Sequence, residues 1–491
     1  MGRSGRMLFI VVALLGAACG TRLDEGAVRN AAAPADRDAG SAPAPAEGPA
    51  STTPAGGTGQ ASVPPGSETQ PSTGTTRAVP GVASSGRGVT TPAGGNSSSA
   101  PAGGVPPGNP AAKPAGPTTA AAPAPNAGEA IKIGGVFPLS GGISALGRPA
   151  EQAARAYFRS INDAGGINGR QIEFISEDDG GDPNRTRAAA EKLVEKDRIF
   201  AMGPSFTPFS PDLVGFLEGK GVPFIGFDGV NVEGFASPST VTLGASIAPH
   251  ARTLIPYWVE KTKAKRVGVV YLDVPPAVSY LNDTRNVICP KIGCQVVEAQ
   301  PVQFNTTDYT SILLRMQAAR VEGIFIVTDP GSAVKLLLQA RQQQYKPSPG
   351  GYLGQHGIYL DLVPKSCGHF CDGILAPTSL FPPQVRSAAT DEMRSVVGRY
   401  YSDVDYGYFT ELGYVSAKLL VDLLRRAGTP DRAKIIGIAR GLTAYDTGGF
   451  TNPARAVDIS PGREHPRDII LMRMEGGAWK QETDWLSPRS F

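Results

Sequence analysis

The side chains of this 491-residue chain with the plainest capacity for chemistry are five cysteines, four histidines, an acidic pair Asp178-Asp179 and the hydroxyls of Ser205 and Thr207. Adjacent carboxylates at the end of a strand point to opposite sides, so Asp178 and Asp179 make a poor acid/base couple. The sequence contains no Gly-x-Ser-x-Gly nucleophile turn, no His-Glu-x-x-His metal helix and no Gly-Lys-Ser/Thr phosphate loop, and its Gly-Gly pairs at 165 and 180 are turn signals. Catalysis is therefore not expected, nor is a cofactor. Cys289 with Cys294, and Cys367 with Cys371, form close pairs that would close local disulfides in an oxidising compartment, each contributing roughly 2 kcal/mol. A rival zinc site on Cys367, His369 and Cys371 lacks the fourth ligand that tetrahedral zinc requires.

Positioning any of these groups needs a folded body, and composition places it in the C-terminal three quarters. Between Arg29 and Gly128 there are nine charged residues, five valines and no Leu, Ile, Met, Phe, Tyr, Trp or Cys. Such a segment cannot bury enough apolar surface to offset the entropy of ordering it, so residues 19–128 read as a disordered tether rich in Pro, Ala, Gly, Ser and Thr. As a flexible coil it would span on the order of 50 to 60 Å on average. The net charge is only +3 and the basic residues are scattered, which argues against a nucleic-acid partner.

From Ile131 the pattern alternates strand and helix. Apolar runs at 131–137, 171–178, 199–203 and 222–227 predict strands, separated by helices over 149–164, 183–197 and 208–220. After a helix over 247–262 the rhythm restarts, with strands at 267–272, 295–299, 323–328 and 351–354 between helices over 277–288, 309–319 and 332–344. One more strand, helices over 384–401, 410–427 and 430–442, and two short strands at 455–458 and 467–474 complete the chain. Repeated βα winding means parallel sheets covered by helices, an α/β class. Two such sheets in one chain turn their strand C-termini toward a shared cleft, where ligands bind.

At the front, Arg3 and Arg6 precede the apolar run Met7 to Leu15, then Gly16, Ala17, Ala18 and Cys19. A basic start, a short apolar core and small residues make an export signal over residues 1–18. The stretch resembles the lipobox of bacterial lipoproteins, with Gly16 where leucine is usual, and the resemblance implies acylation of Cys19 and a membrane anchor.

The body resembles the leucine/isoleucine/valine-binding family of type I periplasmic binding proteins, which serve branched-chain amino acid ABC transporters. The residues that carry this are Ile131-Lys-Ile-Gly-Gly-Val-Phe-Pro-Leu-Ser-Gly141, Gly147, Ala164-Gly-Gly-Ile-Asn-Gly-Arg170, Glu177-Asp-Asp179, Asp182-Pro183 and, in the second half, Gln339-Ala-Arg341. The resemblance implies two Rossmann-like lobes with parallel sheets, joined by a three-crossing hinge: residues 131–250 and 376–448 in the first, 251–375 and 449–491 in the second. It implies a ligand carboxylate held by backbone amides and a hydroxyl in the loop Gly203-Pro-Ser-Phe-Thr207, with Ser205, Phe206 and Thr207 as contacts. An anion suits the helix terminus that follows. Other contacts implied by position are Asp228 and Gly229, where the family's Ala-Ala-Thr is replaced, Leu146 in place of a tyrosine, Asp329 at another tyrosine position, and His356 where an acidic residue normally meets the ligand's ammonium. These departures weaken the case for leucine itself.

The expectation is a lipid-anchored extracytoplasmic protein, monomeric, that captures a small polar molecule, an amino acid or related amide or carboxylate, for an ABC importer and its permease. The alternative is a sensor that passes occupancy to a separate signalling partner. Mass spectrometry of the mature N-terminus is expected to find an acylated Cys19; an unmodified residue at any other position removes the anchor.

Overall fold

The computed structural model describes residues 128–491 apart from 209, 231, 305, 462 and 464–466; the expected export signal, the tether and Cys19 lie outside the described residues. Strands β1 (Ile131–Phe137), β2 (Ile172–Asp178), β3 (Ala201–Met202), β4 (Phe224–Ile225) and β5 (Thr240–Val241) form one parallel sheet in the order β2-β1-β3-β4-β5. Helices α1 (Ser144–Asp163), α2 (Pro183–Glu191) and α3 (Ser210–Gly219) connect its first four strands. The apolar stripe of α1, including Leu146, Ala150, Ala153, Ala154, Tyr157, Phe158 and Ile161, is buried, as its helical spacing requires.

The turn out of α1 explains the Asn-Asp-Ala-Gly-Gly-Ile-Asn-Gly-Arg run. Asn162 acts as a surrogate strand, its amide accepting from the Ile172 N–H and donating to the Ile172 carbonyl, both at 2.8 Å. Gly166, at φ +80°, has no room for a side chain: a Cβ there would stand 2.1 Å from the Arg170 carbonyl oxygen.

Helix α4 (Ile247–Thr262) then opens a second sheet of seven strands: β6 (Arg266–Leu272), β7 (Gln295–Val302), β8 (Gly323–Val327), β9 (Gly351–Gly354), β10 (Leu375–Thr378), β11 (Ile470–Glu475) and β12 (Ala478–Gln481). Their order is β12-β11-β10-β9-β8-β6-β7, flanked by α5 (Pro275–Asp283), α6 (Cys289–Ile292), α7 (Thr310–Ala318), α8 (Pro330–Gln342) and α9 (Leu362–Cys367). Between β10 and β11 the chain returns to the first lobe as α10 (Ala388–Tyr400), α11 (Tyr408–Ala427) and α12 (Arg432–Gly441). Tyr414 of α11 meets Tyr157 of α1 edge-on at 5.0 Å, and Arg432 donates to the carbonyls of Ile199 and Phe200. The chain thus crosses between lobes three times.

Several expectations need correction. The second sheet is parallel only from β10 to β7; β11 and β12 are antiparallel, joined at Gly476-Gly477, both with positive φ. β10 pairs with β9 and β11, so the boundary expected at 375/376 falls inside a strand of the second lobe. The strand expected at 455–458 is a single bridge from Tyr445 to Val457, and β5 and β12 escaped notice because two to four residues carry too little alternation. Cys289 and Cys294, and Cys367 and Cys371, lie at disulfide distance, with Cα separations of 4.5 and 5.8 Å.

Helices α1 and α11 approach so closely that a Cβ on Gly413 would stand 2.1 Å from the Ala150 carbonyl oxygen. Gly413→Ala is expected to cost about 1 to 3 kcal/mol through overpacking, read by urea denaturation; an unchanged midpoint would show that the two helices are not locked together.

Candidate functional site

Parallel strands end their ladders with backbone loops on one edge, and here both sheets point that edge at the same gap. The segments after β1, β3 and β4 contribute Ile143, Leu146, Phe206, Pro208 and Val230 to the wall of a cavity, and α11 adds Phe409. Facing them, the segments after β6, β7, β8 and β9 contribute Leu272, Val274, Phe304, Val327, Thr328, Asp329, Gln355 and His356, while α5 supplies Pro276, Ala277 and Tyr280. The cavity encloses about 530 Å³, its open mouth included, and no Lys or Arg lines it among the described residues.

In the loop expected to cradle a carboxylate, the amides of Ser205, Phe206 and Thr207 have acceptors within the protein. The amide of Ser205 donates to the Gly226 carbonyl at 3.3 Å, that of Phe206 to the Val136 carbonyl at 3.1 Å, and that of Thr207 to Asp228 Oδ2 at 3.2 Å. Asp228 also accepts from the Val230 amide at 2.7 Å, so a buried side-chain carboxylate sits where a ligand's would be read. The Ser205 hydroxyl accepts from the Val136 amide at 3.1 Å and donates to the Gly203 carbonyl. Gly229 turns the chain at φ +79° against Gly244. Of the residues expected at the site, Leu146, Phe206, Asp329 and His356 therefore face the cavity, while Ser205, Thr207, Asp228 and Gly229 build the wall behind it.

The acidic motif is likewise structural. Asp178 accepts from the amides of Leu139 (2.8 Å), Ser140 (3.1 Å) and Gly180 (2.8 Å) and from the Ser140 hydroxyl (2.6 Å), pinning the loop that leads to Ile143 and Leu146. Partial burial pushes its carboxyl up, but these donors outweigh it and hold the group at about 2. Asp179, fully buried, accepts from the Gly181 amide and the Thr186 hydroxyl, and burial raises its pKa. The two carboxylates thus serve different partners on either side of the strand end.

At the polar end, Asp329 caps α8 by accepting from the Ser332 amide at 3.0 Å, and burial pushes its carboxyl up. Gln355 spends its amide on the Gly357 N–H and the Thr328 carbonyl. His356 Nδ1 lies 2.6 Å from the Tyr280 hydroxyl, and its ring stacks on His250 at 4.7 Å and 24°. Burial pushes the His250 imidazole down to about 3; burial, then His250, holds His356 well below the usual range. Sequence reasoning missed Tyr280, Phe304, Phe409 and His250, because nothing in local spacing marks a residue on a returning helix as cleft-facing.

The family model described as "Periplasmic binding protein" matches residues 130–478. A Leu/Ile/Val-binding protein homolog 7 of Brucella abortus is 24% identical over 332 residues, covering 64% of this chain and 81% of its own. Among solved structures, a branched chain amino acid ABC transporter protein of Thermus thermophilus with bound valine superposes with a TM-score of 0.66 at 19% identity, covering 73% of this chain and 97% of that one. A solute binding protein of an ABC transporter from Rhodopseudomonas palustris, in complex with 3,4-dihydroxy benzoic acid, gives 0.63 at 20%, covering 74% and 98%.

The folded pKa of Asp178 is depressed, so its contribution is present above the ordinary carboxylate value near 4 and lost as pH falls toward 2. Asp178→Asn is expected to cost on the order of 1 to 2 kcal/mol at pH 7 through lost charge-assisted hydrogen bonds, with the gap from wild type closing between pH 4 and 2 in urea titrations. A gap that persists at pH 2 would remove the ionised carboxylate as its source.

Proposed function

Because the chain belongs to the type I periplasmic binding protein family, whose members bind substrates and do not transform them, we propose that it is the capture component of an ABC importer for a largely apolar guest without a carboxylate. The reading rests on one observation above all: the three successive amides that would receive an anion donate inward, the last of them to Asp228. A bound carboxylate would have to displace that side chain and face it across a few ångströms in a low dielectric, which is costly. The walls favour the same conclusion, since Ile143, Leu146, Phe206, Val274, Phe304 and Phe409 offer dispersion and burial and nothing to neutralise charge. This departs from the small polar molecule expected from the sequence. The Rhodopseudomonas palustris neighbour holds 3,4-dihydroxy benzoic acid, which shows a flat ring in this fold but carries the carboxyl group that the present cleft is proposed to refuse.

Capture follows from geometry. The two halves of the wall belong to different lobes, so an apolar guest between them is desolvated only when the lobes close, and its burial favours the closed form. The closed body is then what a permease would read, carried on Cys19 and the tether at a distance from the bilayer.

Titration calorimetry of the full chain at pH 7.5 is expected to give a Kd for uncharged 2-acetylnaphthalene at least tenfold below that for leucine. Phe206→Ala and Phe409→Ala should each weaken that binding about tenfold or more, by loss of buried aromatic contact. Leucine binding as tight as the aromatic would overturn the reading.

A further inference from the structure

His356 is the residue at which the cavity wall meets the hinge. It lines the cavity from the second lobe, contacts Tyr408 and Phe409 of α11 in the first lobe at ring separations of 4.9 and 5.7 Å, and stacks on His250. His250 lies in the first turn of α4, just past the first crossing, and also meets Tyr408 edge-on at 5.6 Å. Both rings are buried, at 4% and 0% exposure.

The hydrogen bonds fix their protons. His250 Nδ1 is 3.1 Å from the Ser246 carbonyl, which only accepts, so Nδ1 carries the proton and Nε2 is a bare lone pair, buried without a partner. The Tyr280 hydroxyl has the His356 Nδ1 as its hydrogen-bond partner, and its proton is satisfied only if Nδ1 accepts. The His356 proton then sits on Nε2. Protonating His356 would turn Nδ1 into a donor and take from the Tyr280 O–H its acceptor; protonating His250 would place a cation on the face of its neighbour.

Among the described residues, no carboxylate is hydrogen-bonded to either ring. Tyr280 and Tyr408 are neutral phenols whose pKa values burial raises further. Asp329, on the same cavity wall, is the cap of α8; Asp228 holds the Thr207 and Val230 amides. Asp283 of α5 is paired with Arg252 of α4 at 2.9 Å, and Glu411 of α11 is turned to Thr378 of β10. The fields of Arg467 and Asp228 both reach Tyr408, with opposite signs.

We propose that the stacked pair is a proton-linked latch of the cleft: the lobes close on a guest with both rings neutral, His250 acts as a positioning residue that holds His356 with Nε2–H available to an acceptor oxygen on the guest, and acidification expels the guest. It rests on the apolar-guest reading and adds a carbonyl, ether or similar oxygen to it. The sign is set by linkage. A ring that takes up a proton at the ordinary value near 6.5 when the lobes part, and far lower when they are shut, makes affinity full above pH 6.5 and lost progressively below it.

The test uses the full chain labelled with ¹³C-histidine, whose four ring signals are assigned through His250→Phe and His356→Phe, alongside Kd values for 2-acetylnaphthalene from pH 7 to 5. In the guest-free protein, the His250 and His356 signals are expected to move together away from their neutral positions as the lobes part on acidification. With guest bound at pH 6 both should stay neutral. The Kd should rise at least about 20-fold from pH 7 to pH 5, the factor for one ring, and more if both take up protons. His250→Phe should flatten this slope and shift the titration of His356, which a merely structural ring would not do; His356→Gln should weaken binding at pH 7 and remove most of the pH dependence. A wild-type Kd that changes less than threefold, or ring signals that titrate independently of one another, overturns the latch. Failure of 2-acetylnaphthalene to bind at any pH counts against the apolar-guest reading instead, and the ring titrations of the guest-free protein then decide the latch alone.

Discussion

A buried amide must find an acceptor, and in the loop after β3 the acceptor that closes the account is Asp228. Its two oxygens take the Thr207 and Val230 amides and so tie the loop after β3 to the loop after β4. With Ser205 and Phe206 already donating to Gly226 and Val136, the loop is a finished piece of main-chain bonding and not an open cradle. Everything that distinguishes this cleft follows: the anion is internal, the amides are spent, and what remains facing the gap is the side of the loop that carries Phe206 and Pro208.

The same economy runs through the rest of the first lobe. Asp178 and Asp179, which look like chemistry in the sequence, are used to fold the loops beside the cleft. Ser205 and Thr207, which look like ligand donors, are used within the protein. A polar side chain in a buried loop satisfies backbone first, because an unpaired amide costs more than most ligand contacts return. Polar function is left to the far side, where Tyr280, His356 and Asp329 line the second lobe.

The second lobe's polar end is joined to the first by aromatic contact. His356 packs between His250 and the Tyr408-Phe409 pair, and Phe409 meets Phe206 at 4.3 Å, so a continuous run of rings passes from the second lobe through the hinge helix to the wall of the first. Rings of this kind interlock when the lobes meet and separate cleanly when they part, which suits a cleft that must cycle.

The sequence by itself determined the two α/β lobes, the periodic burial of α1, the turn at Ala164 to Arg170 and the family resemblance. Each rests on short-range rules: helical and strand periods, glycine at positive φ, a proline at the start of a helix. It also marked Leu146, Phe206, Asp329 and His356, which lie just past strand ends or at the start of the first helix. Tertiary structure alone decided which face of the Gly203 to Thr207 loop looks at the cleft, where its amides go, and that Phe409 and His250, 159 residues apart in number, reach the same imidazole. The physical reason is that a hydrogen bond between loops, or a ring contact across a hinge, joins residues from separate crossings of the chain, and no local pattern records which partner each will meet.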